Sequence, residues 1–289
     1  MKIHAIQTGF VGIKTAQVEA RGHGLARRMA IFTHPEWTDW RPTYARAIEH
    51  AHGVIVADTG QGAHLPEHGR SLHPYLRSEV AFRIEREAGI GPQLLALRIG
   101  PRDVKQVVLT HLHIDHDGGL AHFPHSEILV SRRELETASG IAGRLRGYLP
   151  QRWPDWFDPK PLTPDPVPFG PFHHSKRLTG DGSVIVVATP GHMADHWLVL
   201  VQVGNLWVML AGDSSYNQHL MLAGRIDGVS PSDAVAAATL GRIRQLAQSQ
   251  RAVYLPTHDP DSARRLAALE SVDQVNVAVV GPEQSGVTT

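Results

Sequence analysis

Short runs of apolar, mostly β-branched residues recur along the chain and end in turn-forming residues. They predict buried or half-buried strands, because they are too short for helices and are bounded by Gly, Pro, Asp or Ser. The runs are "GVIVADTG" (53–60), "VKQVVLTH" (104–111), "SEILVS" (126–131), "SVIVVATPGH" (183–192), "HWLVLVQV" (196–203), "LWVMLAGD" (206–213) and "RAVYLPTHD" (251–259). The turn in "QVGNLW" predicts that two of these strands, 196–203 and 206–213, pair antiparallel, which argues against a purely parallel sheet.

Helix start signals lie between these runs. The segments that carry them are "SEVAFRIEREAG" from Ser78, "SRRELETASG", "SPSDAVAAATLGRIRQLAQ" and "DPDSARRLAALE". Ser131 and Glu134 have the spacing of a capping box, and Pro231 and Pro260 are expected at the first helical position of the last two segments. The pattern therefore predicts a chain rich in strands with helices interspersed.

Two segments follow neither period, and we expect them to be irregular insertions. Residues 21–47 include "HPEWTDWRPTYAR", and residues 150–175 hold eight prolines in 26 residues, which excludes regular structure there. Such segments form lids, subunit contacts or plain surface loops held by their aromatic residues, and these alternatives stay open. "RGHGLARR" lacks the preceding strand and the full glycine pattern of a phosphate-binding loop, so we interpret it as a solvated or lid segment.

Composition limits the partners. The chain has 289 residues with 28 basic and 28 acidic side chains, and it shows no internal repeat or linker, so we expect one domain over residues 1–289. Balanced charge leaves no basic footprint for nucleic acid. No apolar run reaches the roughly 18 residues of a membrane span, and the start has no secretory pattern, which predicts a cytoplasmic protein without a membrane partner. The oligomeric state stays open, with a homodimer as one option.

Histidine and aspartate supply the candidate chemistry. The chain has no cysteine, so a transition-metal site must use imidazole and carboxylate ligands, which suit Zn, Fe or Mn. The stretch "THLHIDH" places four donors where a strand turns into a loop: His111, His113, Asp115 and His116. Burying these polar groups together without a metal would be costly, so we expect a metal there.

Further donors follow other predicted strands. They are His192 after "TPG", Asp213 after "AG" and His258 after "PT". Each taken singly fits an ordinary hydrogen-bonded residue equally well. Five histidines and two aspartates together exceed the needs of one four-coordinate ion, which favours a dinuclear site with ions about 3.5–4 Å apart and a shared carboxylate.

The motif HxHxDH is preceded by "VADTG" and followed in order by "TPGH", "AGD" and "PTHD". This set of motifs resembles the metallo-β-lactamase superfamily over roughly residues 50–260. The resemblance implies an αββα sandwich of mixed α/β (α+β) class with its site at one edge. It implies two divalent ions, with Zn²⁺ expected first and Fe, Co or Mn as alternatives. The ligands it implies are His111, His113 and His192 for the first ion, Asp115, His116 and His258 for the second, and Asp213 as the bridge. Asp58 resembles the family's structural aspartate near the site.

Three further features resemble the N-acyl-homoserine lactonases of quorum quenching, a branch of this family. They are the start "MKIHAIQTG", the cysteine-free donor set and Tyr216 in "GDSSY". This implies a small-molecule lactone substrate whose ring is opened by a metal-bridging hydroxide. Tyr216 would assist at the lactone carbonyl, and Asp115 would pass a proton to the leaving oxygen, so both are predicted catalytic residues. The segments 21–47 and 150–175 are where we expect the acyl chain to be recognised.

One departure leaves the substrate open. After "TPGH" the chain continues with Asp195, His196 and Trp197, where a serine is common at the last position. The alternatives are hydrolysis of another lactone, ester or thioester, as in glyoxalase II, a metal-dependent nuclease, and a non-catalytic metal-binding relative. The C-terminal segment "ESVDQVNVAVVGPEQSGVTT" is short and polar, which opposes glyoxalase II; neutral charge opposes a nuclease, and the complete donor set opposes a non-catalytic relative.

Overall fold

The computed structural model describes residues 1–63 and 73–272. Most of the C-terminal segment on which the glyoxalase II comparison rests lies outside these residues. The described strands form two sheets. The first holds β1 (Lys2–Ile13), β2 (Arg41–His50), β3 (Gly53–Ala57), β4 (Val80–Arg83), β5 (Val104–Val108), β6 (Glu127–Val130) and β7 (Lys160–Pro161) in the order β4-β1-β2-β3-β5-β6-β7.

The second sheet holds β8 (Ser175–Arg177), β9 (Val184–Ala188), β10 (Trp197–Val203), β11 (Leu206–Gly212) and β12 (Ala252–Pro256) in the order β12-β11-β10-β9-β8. The helices are α1 (Thr15–Val18), α2 (Gly24–Thr33), α3 (Pro74–Ser78), α4 (Ile90–Ala96), α5 (Ile114–Asp117), α6 (Arg132–Ala138), α7 (Gly140–Leu145), α8 (Gln218–Ala223), α9 (Asp233–Ser249) and α10 (Ser262–Ala268). Among the described residues, none of these helices has the length and apolar character to cross a membrane.

Strand β10 shows why the apolar runs are continuous. Trp197, Val199 and Val201 belong to the core between the two sheets, whereas Leu198 and Leu200 belong to the core on the other face, against α8 and α9. Successive strand residues point to opposite faces, so a strand buried on both faces needs apolar residues at every position. The first sheet is covered on its outer face by α4 and the residues around it. The layers are therefore helix, sheet, sheet, helix, which confirms the predicted αββα sandwich.

Most of the predicted elements are confirmed. Each of the apolar runs forms a strand, and β10 and β11 pair antiparallel around the predicted turn, with Val203 opposite Leu206. The Ser131 side chain accepts a hydrogen bond from the Glu134 backbone N–H at 3.3 Å, as a helix cap should. The structure also adds two long antiparallel strands, β1 and β2, that the sequence analysis did not predict.

Four predictions were wrong. Residues 150–175 are not wholly irregular, because they contain β7 (Lys160–Pro161), which pairs parallel with β6. The segment from Ser78 forms β4 and a short 3₁₀ turn, because Val80 and Phe82, two residues apart, both pack on the apolar cluster beside β1. The predicted insertion 21–47 contains α2 and the start of β2, so most of it is regular. The proline positions were misplaced: α9 begins at Asp233 after the Ser232 cap, and α10 begins at Ser262.

The packing between the second sheet and its helices contributes to stability. Leu200 is fully buried in that core, so Leu200→Ala should lower the free energy of unfolding by about 2–5 kcal/mol, because it removes apolar contacts and leaves a cavity. Leu25 on α2 is 76% exposed, and Leu25→Ala should change it by less than about 0.5 kcal/mol. Denaturant titration of both variants provides the measurement, and equal effects would contradict the assigned core.

Candidate metal centre

The ends of strands from both sheets deliver the candidate donors to one edge of the sandwich. In the first sheet, β5 runs into His111 and His113, and the short helix α5 that follows carries Asp115 and His116. In the second sheet, β9, β11 and β12 are followed within four residues by His192, Asp213 and His258. Because the two sheets face each other, the ends of these four strands meet at a single edge. All seven sequence-predicted donors therefore come together.

Three overlapping groups of three donors lie close together, and one of them, His111, His116 and Asp213, shares a histidine with each of the other two. His111 Nε2 lies 2.9 Å from His113 Nδ1, which lies 3.2 Å from His192 Nε2. The donor atoms of these three residues lie within 4.8 Å of one another, and so do those of Asp115, His116 and His258. These are the same two trios that the family resemblance implied.

Asp213 lies between the two groups. Its Oδ2 is 3.6 Å from His192 Nε2 in one group and 3.5 Å from His258 Nε2 in the other. Its Oδ1 is 3.4 Å from His116 Nε2, yet neither of these two atoms, both buried, has a hydrogen-bond partner among the described residues. A buried acceptor and a buried ring nitrogen that face each other without bonding are what a metal ion between them would satisfy.

The charges of the site also fit cations. Burial lowers the pKa of His113 to about 3, which leaves a neutral imidazole of the kind metals bind. Burial would lower the pKa of His258 as well, but the carboxylates of Asp213 and Asp115 raise it to about 9. Without a metal, the carboxylates thus hold protons on nearby histidines, and a divalent cation would supply the same positive charge in place of those protons.

Groups behind the donors fix their orientation. His116 Nδ1 donates to Asp58 at 2.8 Å, and Asp58 also accepts from the Thr110 backbone N–H at 2.7 Å, which agrees with the structural role expected for this aspartate. His258 Nδ1 lies 3.0 Å from the Pro42 carbonyl oxygen at the start of β2. In each case the pairing turns the Nε2 atom toward the cluster.

Asp227 is a functional residue that the sequence analysis missed. Its Oδ2 accepts from His192 Nδ1 at 2.9 Å, and its Oδ1 accepts from the backbone N–H groups of Val229 at 3.0 Å and Ser230 at 2.6 Å. It lies in the irregular stretch "RIDGVS", 35 residues after His192, without a strand or spacing to connect the two. A buried aspartate in a turn rich in small residues was the only signal available.

His196, the next histidine after "TPGH", lies beside the cluster and contacts Asp213. Its Nδ1 is 2.8 Å from the Thr189 hydroxyl, and its Nε2 accepts the Asp213 backbone N–H at 3.1 Å. Gly212 makes this approach possible: its φ is +52°, and a Cβ atom there would lie 2.6 Å from His196 Nε2. His196 therefore shapes the turn that carries the bridging candidate, whereas Trp197, which departs from the family pattern, is buried in the core between the two sheets.

A cavity of about 490 Å³ opens onto the cluster. Its inner wall includes His113, Asp115, His192, Asp213 and His258, and its outer wall is largely apolar, with Ile31, Phe32, Val80, Phe82, Ile114 and Met193. Tyr216 also lines it, with its ring stacked on His258 at a centroid distance of 5.7 Å. Burial raises the pKa of the Tyr216 hydroxyl well above its usual value, so it stays protonated at neutral pH and can donate a hydrogen bond.

The two predicted insertions differ in their relation to this cavity. Arg28, Ile31 and Phe32 of α2 line it, which agrees with a substrate-facing role for residues 21–47. None of residues 150–175 lines it; instead, Trp153 packs against the core of the first sheet and its Nε1 donates to Asp117 at 2.7 Å. The cavity lining gives no support to the expected contact of 150–175 with the acyl chain, because Trp153 and Phe157 pack against the core of the first sheet and Phe169 and Phe172 against that of the second sheet and its helices.

The sequence profile of the metallo-beta-lactamase superfamily matches residues 38–258. The chain therefore belongs to this superfamily. Among its relatives, the N-acyl homoserine lactonase AttM of Rhizobium radiobacter is 28% identical over 219 residues, which cover 74% of this chain and 81% of that protein. Family and relatives together identify the protein as a metal-dependent hydrolase and confirm the predicted resemblance.

Solved structures establish the fold independently. An N-acyl homoserine lactone hydrolase with the product N-hexanoyl-L-homoserine at its catalytic metal centre superposes with a TM-score of 0.73 at 19% identity, covering 91% of this chain and 95% of that one. AidC, a dizinc quorum-quenching lactonase solved with a product, gives a TM-score of 0.62 at 16% identity, covering 89% and 87%. These similarities extend over nearly the whole length of both chains.

Asp227 provides a test of the candidate centre that leaves every donor in place. We expect Asp227→Asn to lower metal affinity about 10- to 100-fold, because the carboxylate that orients and polarises His192 is lost. Competition with a chromogenic chelator measures the affinity. Asp261→Asn, at an exposed aspartate paired with Arg264, is the matched control and should bind metal as the parent does. Equal affinities in the two variants would contradict the role given to Asp227.

Proposed function

We propose that the protein opens the lactone ring of N-acyl-homoserine lactones by ester hydrolysis with two divalent metal ions, Zn²⁺ in the first place. The observation that carries this proposal is the position of Asp213, whose Oδ2 lies at similar distances from a histidine of each donor group. His111, His113 and His192 would hold one ion, and Asp115, His116 and His258 the other. Bound there, the ions would supply a water-derived nucleophile at neutral pH and polarise the ester carbonyl.

Two side chains that border the cavity, Tyr216 and Asp115, are assigned the hydrogen-bonding and proton-transfer roles. Tyr216 stands in the cavity wall with a protonated hydroxyl, and we assign it the role of donating a hydrogen bond to the ester carbonyl oxygen as negative charge develops there. Asp115 is the more exposed of the two aspartates among the proposed ligands, with its side chain 13% accessible against 5% for Asp213. Because its carboxylate borders the cavity and is the more accessible of the two, we assign Asp115 the role of accepting a proton released by the attacking water and passing it to the leaving alkoxide.

The apolar wall supports an acyl substrate. A homoserine lactone bound at the cluster would place its acyl chain along Ile31, Phe32, Val80 and Phe82. Burying apolar surface stabilises binding by about 25 cal/mol per Å², so a longer chain gains affinity until the wall ends. The names of AttM and of the solved lactone hydrolase support the same substrate class. Hydrolysis needs no covalent intermediate on the protein in this scheme.

Elemental analysis tests the dinuclear assignment. We expect about two metal ions per chain in the purified protein, and fewer in Asp213→Ala and His258→Ala, because each variant removes a proposed ligand. His125→Ala, at an exposed histidine away from the cluster, is the matched control and should keep the parent content. A parent protein that holds a single ion at saturating metal would contradict the two-ion assignment.

A hydrolysis screen tests the substrate. The Zn- or Co-loaded protein is assayed with a pH indicator against homoserine lactones of varied chain length, thioesters, a phosphodiester and a cephalosporin. We expect lactones to be turned over with a kcat/KM that rises with acyl length, because the cavity wall is apolar. Robust phosphodiester cleavage without lactone turnover would overturn the proposal.

A further inference from the structure

Gln17 lies between two tyrosines in the wall of the cavity. The Tyr75 hydroxyl donates to Gln17 Oε1 at 2.5 Å, and Gln17 Nε2 donates to the Tyr216 hydroxyl oxygen at 3.2 Å. All three residues line the cavity. We propose that Gln17 is a positioning residue that sets the direction of the Tyr216 hydroxyl: by donating to the phenol oxygen, it leaves the Tyr216 hydrogen free for the substrate.

The two distances favour one orientation of the amide. Hydrogen bonds between oxygens are commonly 2.5–3.0 Å long, whereas those from nitrogen to oxygen are commonly 2.7–3.2 Å. The contact of 2.5 Å to Tyr75 therefore suits the amide oxygen, and the contact of 3.2 Å to Tyr216 suits the amide nitrogen. The reverse orientation would make Tyr216 donate to Gln17 and would withdraw its hydrogen from the cavity.

Gln17 has little freedom to turn away. Its backbone N–H donates to the Lys14 carbonyl at 2.9 Å, and its carbonyl accepts from the Gly228 N–H at 2.8 Å. The approach of Gly228 is so close that a Cβ atom there would lie 2.1 Å from the Ala16 carbonyl oxygen. The side chain is also buried, so the amide is held by its two tyrosine partners rather than by water.

Tyr216 is equally constrained. Its ring packs in a cluster with Val11, Ile13 and Leu220 and stacks on His258 with an interplanar angle of 23°. Within residues 1–63 and 73–272, Gln17 is its hydroxyl's hydrogen-bond partner. The remaining freedom of Tyr216 is the rotation of its O–H bond, and an incoming donor at the oxygen directs that bond elsewhere. The open side is the cavity.

The consequence for the reaction rests on the role proposed for Tyr216. A donor aimed in advance at the carbonyl oxygen needs no reorganisation when charge develops, and such donors act mainly on kcat. Gln17 itself does not touch the reacting atoms. Its loss should therefore lower kcat more than it raises KM, and should do so only while the Tyr216 hydroxyl is present.

The test is a double-mutant cycle with lactone substrate on the metal-loaded protein. Gln17→Glu keeps the length of the side chain but can only accept, so Tyr216 would donate to the carboxylate and kcat should fall about tenfold or more. In the Tyr216→Phe background the same change should alter kcat by less than about twofold. Gln17→Met, which adds no charge, should give a smaller loss of kcat that also disappears in that background.

Metal content and thermal midpoint, measured for every variant, separate this effect from loss of ions or of folding. An equal loss of kcat from Gln17→Glu in both backgrounds would overturn the proposal, because the effect would not pass through Tyr216. Full activity of Gln17→Glu beside an impaired Tyr216→Phe would overturn it too. Full activity of Tyr216→Phe would overturn the role of Tyr216 and this inference with it. If the parent protein does not hydrolyse lactones, the proposed substrate class is wrong instead, and the cycle is then run on the ester identified by the screen.

Discussion

The buried carboxylate of Asp213 is the group on which the rest of the site depends. An ionised carboxylate that leaves water loses several kcal/mol of solvation unless positive charge or hydrogen bonds replace it. Around Asp213 that compensation comes from His116, His192 and His258, each within 3.6 Å of one of its oxygens. Burial would raise the pKa of Asp213, but the charges on His258 and His116 hold it well below its usual value. The site is thus arranged to keep this carboxylate ionised.

Residues among the first fifty of the chain orient the groups that surround Asp213. Pro42 orients His258, and the fully buried Arg27 donates to the carbonyls of Asp227 at 2.9 Å and Gly228 at 3.0 Å. The loop that Arg27 fixes is the one that carries the Asp227 carboxylate to His192 and the Gly228 N–H to Gln17. One guanidinium therefore supports both a proposed metal ligand and the residue that we assign to aim Tyr216. Arg27 belongs to "RGHGLARR", which the sequence analysis interpreted as a solvated or lid segment, and its burial makes it a structural anchor.

The features that could be predicted from the sequence are those whose signals lie at adjacent positions along the chain. Strands β5, β9, β11 and β12 are short apolar runs with a donor just beyond the end, so element, edge and residue can all be read from adjacent positions. Asp227 and Gln17 act through contacts to residues 35 and 199 positions away; Asp227 lies outside any helix or strand, and Gln17 lies in α1, which spans only four residues. Strand β4 was mistaken for a helix because its run is short and its charged neighbours favour helices, whereas pairing with β1 decides the outcome.

The proposed metal ligands and the apolar wall of the cavity lie on different parts of the fold. The proposed ligands sit on strand ends fixed by the two-sheet core, where a small displacement would break the geometry of the centre. The apolar wall comes instead from α2 and from β4, the edge strand of the first sheet, and Phe32 of α2 is 54% exposed. Substitutions there can alter the shape of the cavity without disturbing the donors. Gln17 stands at the boundary, since α1 belongs to the substrate side and its amide reaches Tyr216 beside His258. We therefore expect Gln17 to link the cavity wall to the alignment of Tyr216.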